Sequence, residues 1–93
     1  MKERTAQDVF ANITSLTEDD KIEIALNVEI AKEIAKARRE KGFTQKQLAE
    51  IAETTQPSLA RLEAALVSPR VGTLIRLLRP LGKTIYIGDL QTN

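Results

Sequence analysis

The sequence predicts an all-α fold: one small helical domain with an N-terminal helical extension and a short C-terminal β-strand. Apolar residues recur at helical spacing along most of the chain. Two of these amphipathic segments are short and stand only three residues apart, and strand-like composition is confined to Thr84–Ile87. With 93 residues, 42% of them apolar, there is material for one core and not for two. The expected organisation is an acidic extension over 1–27, a helical domain over 28–83 and a strand with a tail over 84–93.

The extension carries Val9, Phe10, Ile13 and Leu16. They suffice for a turn or two of amphipathic helix without independent stability, so a partner surface is the place where it orders. Leu16-Thr17-Glu18-Asp19-Asp20 then reads as a helix start: an apolar residue before the cap, a threonine cap and three carboxylates in the positive first turn. Ile22, Ala25 and Leu26 form a short apolar stripe. A second stripe runs from Val28 through Ile30, Ala31, Ile34, Ala35 and Ala37 to the basic end Arg38-Arg39, with Gly42 as terminator. The pattern is compatible with one long helix or with two joined near Asn27. Further on, Val71, Leu74, Leu77 and Leu78 give a helix face over Arg70–Arg79, which Pro80 ends. Thr84-Ile85-Tyr86-Ile87 is β-branched and aromatic and reads as a lone strand. Its partner could be its own copy or another protein's sheet edge.

Between these lie the two short helices. Thr44 and Thr55 each stand at an N-cap position. In the first helix Leu48, Ala49, Ile51 and Ala52 make one apolar stripe; in the second, about 56–64, Leu59 and Leu62 point inward while Gln56, Pro57, Ala60 and Arg61 point out. This is the sequence form of a helix-turn-helix. A helix presenting glutamine and arginine near its N-terminus suits a DNA major groove, where those side chains read base edges.

The absence of cysteine and histidine removes disulfides, thiolate or imidazole metal sites and the catalysis that uses them, so an enzyme is not expected and no cofactor is implied. No apolar run spans a bilayer; the expected location is the cytoplasm, without membrane contact. The formal charge of +1 conceals an asymmetry: Lys2, Arg4 and Lys21 against six carboxylates give residues 1–27 a charge of −3, and the other eleven basic and seven acidic residues give the body +4. A basic body suits phosphate and an acidic arm suits a cationic protein.

From Val28 to Ile87 the chain resembles the phage-repressor, lambda-repressor-like class of helix-turn-helix proteins, the Cro and C1 type. The resemblance is carried by Arg38 with Gly42, Thr44-Gln45 with Leu48-Ala49, and Thr55-Gln56-Pro57-Ser58 with Leu62-Glu63. As a whole the chain looks most like HigA-like antitoxins, through the acidic extension, Gln56-Pro57-Ser58 with Ala60-Arg61-Leu62-Glu63, and Leu81-Gly82-Lys83-Thr84 before the strand. The resemblance implies that Gln45 holds a phosphate, that Gln56 and Arg61 face base edges, and that Thr55 and Ser58 contact the DNA backbone. Pro57 could pack on a thymine methyl, Lys46 and Arg70 lie where they could touch phosphate, and Arg38 and Glu63 form a structural charge pair. The chain departs from the family at Glu53, where glycine is usual, and at Ala64-Ala65-Leu66, which replaces a polar connector. Glu53 must therefore take up a less comfortable backbone geometry, or the turn must differ.

Three functions follow as expectations. The first is an antitoxin that binds a basic, messenger-RNA-cleaving toxin through the arm (Val9, Phe10, Ile13, Leu16) and represses its own operator as a homodimer. The second is a free-standing regulator without a toxin; the third is an interaction module that has lost DNA binding. Nothing in the sequence resembles a small-molecule pocket.

Overall fold

The computed structural model describes residues 16–89. Four α-helices follow one another: α1 (Glu18–Glu40), α2 (Gln45–Ile51), α3 (Gln56–Glu63) and α4 (Val71–Leu78), the last continued by a 3-10 turn over Arg79–Leu81. Helix α1 runs through Asn27 without a break. Its start is a full capping box: Thr17 Oγ1 accepts from the Asp20 amide at 3.1 Å, and Asp20 accepts from the Thr17 amide at 3.2 Å. Thr44 and Gln47 repeat the device at α2, with distances of 3.0 and 2.9 Å.

The helix ends share a second device. After α1, Gly42 adopts φ 77°, its amide bonds the Arg39 carbonyl and the next amide, Phe43, bonds that of Arg38. This crossed pair occupies carbonyls that the helix leaves free. The same pair closes α2 at Glu53 and Thr54, and α3 at Ala65 and Leu66. Glu53 and Ala65 take the left-handed conformation at φ 58° and 59° with no glycine to ease it. The turn therefore keeps its geometry, and Glu53 carries the strain.

Helix α3 packs on both α1 and α2, and α4 packs on α2. Ile34 and Ala37, Leu48, Ala49 and Ala52, Leu59 and Leu62, and Leu74, Leu77 and Leu81 form a single buried core, with Ile30, Phe43 and Leu78 against its edge. Three inward assignments fail. Ile51 and Val71 are exposed, and Ile22, Ala25 and Leu26 lie on the first turns of α1, before the helix reaches the body.

The expected C-terminal strand is also corrected. Among the described residues no strand forms, and Thr84–Ile87 has no regular secondary structure and no backbone partner. β-propensity reports how a side chain fits a pleated surface; it does not supply the neighbouring strand whose hydrogen bonds make one. Of the proposed arm, Val9, Phe10 and Ile13 lie outside the described residues, and Leu16 stands half-buried just before the Thr17 cap. Among the described residues no helix is long and apolar enough to cross a membrane.

Candidate nucleic-acid interface

Arg38 is buried, 8% exposed, at the end of α1, where its Nε and Nη2 reach the two oxygens of Glu63 at 2.7 and 2.9 Å. Its remaining Nη1 donates to the Phe43 carbonyl at 2.9 Å. The planar fork thus holds the C-terminus of α3, the loop after α1 and α1 itself in one arrangement. The Glu63 hydrogen bonds raise the Arg38 pKa above its ordinary value, burial opposes this, and the Glu63 charge adds to the rise.

Glu63 has a further partner that spacing alone does not reveal. Gln45 Nε2 donates to Glu63 Oε1 at 3.1 Å, and Gln56 Nε2 donates to Gln45 Oε1 at 2.8 Å. The order of these bonds is dictated from the buried end. A carboxylate only accepts, so Gln45 must turn its NH2 group towards Glu63 and its oxygen away. Gln56 must then spend one N–H on that oxygen. Its own oxygen and its second N–H are the groups left for a ligand. Arg38, Glu63, Gln45 and Gln56 thus form one chain from the core to the exposed first residue of α3.

Thr55 and Ser58 are joined at the same helix start. Thr55 Oγ1 accepts from the Ser58 amide at 3.2 Å and donates to Ser58 Oγ at 2.8 Å. Pro57 occupies the first turn, where an amide would have no intrahelical partner. Gln56, Pro57, Ser58 and Arg61 are all exposed, and Arg61 stands one turn along from Pro57 on the same face. Lys46 is exposed on the first turn of α2 and Arg70 at the cap position of α4; neither shares a hydrogen bond with the Gln45–Gln56 network among the described residues. Hydrogen bonds therefore join Gln45 to Gln56 and Thr55 to Ser58 at one helix start, Arg61 lies one turn along the same helix, and Lys46 and Arg70 stand outside these bonds. Among the described residues no cluster of side chains could hold a metal ion.

Two short helices joined by a tight turn, the second half-exposed and braced against the first, define a helix-turn-helix protein. Residues 34–87, more than half of the chain, match the family model described as helix-turn-helix, and the chain belongs to that family. A protein of Haemophilus influenzae called an uncharacterized HTH-type transcriptional regulator is 39% identical over 74 residues, which cover 80% of this chain and 76% of that one. Among solved structures, a toxin-antitoxin module from Streptococcus pneumoniae contains a chain that superposes with a TM-score of 0.65 at 33% identity, covering 97% of each chain.

Proposed function

We propose that this chain is a HigA-like antitoxin that binds a basic, messenger-RNA-cleaving toxin and represses its own operon by reading operator DNA with α3. The observation that carries the reading is coverage. The family match spans 34–87, whereas the likeness to the toxin-antitoxin module chain extends over 97% of this one, well beyond the helix-turn-helix match.

On the DNA side, the outer oxygen and remaining N–H of Gln56 match the N6 donor and N7 acceptor of an adenine edge. Arg61 supplies a second reading side chain, Thr55 and Ser58 contact the phosphate backbone, Pro57 packs on a thymine methyl, and Lys46 and Arg70 add phosphate contacts. Gln45 serves DNA in two ways, by phosphate contact and by holding Gln56. Two copies in a homodimer set their α3 helices about 34 Å apart on a palindromic operator. On the toxin side, Val9, Phe10, Ile13 and Leu16 provide apolar anchors on an arm of charge −3. The mechanism is occlusion, without chemistry.

The test is co-expression with the product of the adjacent small reading frame. Co-purification together with rescue of growth arrest is the expected result. No complex and no arrest would move the reading to a free-standing regulator without a toxin partner. In either case Arg61→Ala should weaken operator binding more than binding to random DNA across a salt series.

A further inference from the structure

A groove of about 680 Å³ opens between α1, α4 and the irregular chain after the 3-10 turn. Its floor is Ile30, Ile34, Leu74 and Leu78, and its walls include Leu26 and Tyr86, which are 55% and 87% exposed. No residue of α2 or α3 lines it, so the groove belongs to elements other than the two helices of the nucleic-acid interface. The apolar surface continues outward along α1. Ile22, Leu26 and Ile30 succeed one another at four-residue spacing, a ridge on one helix face that enters the groove at Leu26.

The groove is held open by a polar clasp. Asn27 Nδ2 donates to Ser68 Oγ at 2.8 Å, and the Ser68 hydroxyl donates to the Glu23 carboxylate, fixing α1 to the connector before α4. With those groups engaged, the interior has few free polar atoms to orient a small molecule. Glu23, Glu29 and Glu33 line the groove from α1, against Lys83 as the single lining cation among the described residues. A second copy docked about a two-fold axis through the groove would bring these carboxylates towards their own copies.

We propose that this groove is the docking site for a basic protein, occupied by an amphipathic segment whose apolar side chains enter between Leu26 and Leu74 and whose lysines or arginines meet Glu29 and Glu33. Apolar anchors in a desolvated groove supply affinity, and the charged rim supplies orientation and rate. The inference rests on the toxin-binding reading and deepens it, because it puts a partner contact on the folded body, apart from Val9, Phe10 and Ile13.

The test titrates the full chain with the product of the adjacent small reading frame by calorimetry. Leu26→Glu and the double variant Glu29→Lys with Glu33→Lys alter exposed side chains, so the helical circular dichroism and melting temperature should hold, and Arg61→Ala serves as a control on the other face. Each groove variant should weaken the complex at least tenfold while Arg61→Ala leaves it within twofold. A complex that both groove variants keep within twofold would overturn the groove and leave the antitoxin reading standing. Failure of the unaltered chain to bind would overturn both. Groove variants that change only the oligomeric state would assign the groove to a second copy and also overturn the proposal.

Discussion

Arg38 and Glu63 show how much one pair of side chains organises. Both are nearly sealed from solvent, with side chains 10% and 6% exposed, so removing one leaves the other charged without its counter-charge. Arg38→Ala is expected to destabilise the fold by ~3 kcal/mol or more, read as a lowered urea midpoint. Because pairing raises the Arg38 pKa, the stability gained is complete below the unfolded value and lost only as pH climbs past the folded one. Between pH 5 and 9 the arginine should therefore add no slope to stability. Gln45→Leu tests the outer part of the chain of bonds: the fold should persist, and base preference at the position read by Gln56 should relax, with about 1–3 kcal/mol of discrimination lost in a binding-site selection. An unaltered preference would show that Gln56 orients itself.

Backbone strain belongs to the residue scale too. A left-handed residue that is not glycine costs roughly 1–2 kcal/mol, and glycine's extra freedom when unfolded returns roughly 0.5–1 of it. Glu53→Gly should raise the melting temperature by roughly 2–8 °C, given about 4–8 °C per kcal/mol in a domain of this size. No rise would mean that Glu53 makes compensating contacts.

At the scale of elements, α1 divides into two halves of different kind. From Ala31 to Arg38 one face of it, Ala31, Ile34, Ala35, Ala37 and Arg38, is buried, whereas its side chains from Glu18 to Leu26 are all exposed. Amide hydrogen exchange should accordingly be fast over 18–26 and approach the global rate over 31–38. In α3, Leu59 is sealed within the core, and Leu59→Ala should cost about 2–5 kcal/mol by the loss of its contacts and the cavity left behind. Helices α2, α3 and α4 were legible because each announces itself locally, with a threonine cap, an apolar period or a terminating proline within a dozen residues. The strand read at Thr84–Ile87 does not form, since a strand depends on a partner that no local pattern encodes. Ile22 and Leu26 illustrate the same limit: periodicity identifies a stripe and does not say whether anything covers it. The charge pair came from the family resemblance, and the bond from Gln45 to Glu63 joins positions 18 residues apart with no signature in the spacing.

Across the whole chain, residues 1–27 carry a charge of −3 and the remainder +4. Operator binding should weaken steeply with salt, because each phosphate neutralised releases counterions, and a slope of log affinity against log salt near zero would argue against phosphate contact. Removing residues 1–15 spares every described helix, whereas removing 1–27 also cuts α1 and deletes the Asn27 clasp. If arm and groove both hold the toxin, the shorter deletion should weaken the complex and the longer one should abolish it, with operator affinity kept in the first case.

The conformation of Glu53 carries one more consequence, concerning handedness. At φ 58° its backbone is close to the mirror image of an ordinary helical residue, so the amino acid best suited to that place is a glutamate of the opposite chirality. A chain of 93 residues is within reach of chemical synthesis by ligation, and D-Glu at position 53 would keep the side chain, the charge and both closing hydrogen bonds. Unlike glycine it adds no freedom to the unfolded chain. The difference in stability between the two epimers is thus a direct weighing of what the turn between α2 and α3 spends on being built from an L-residue.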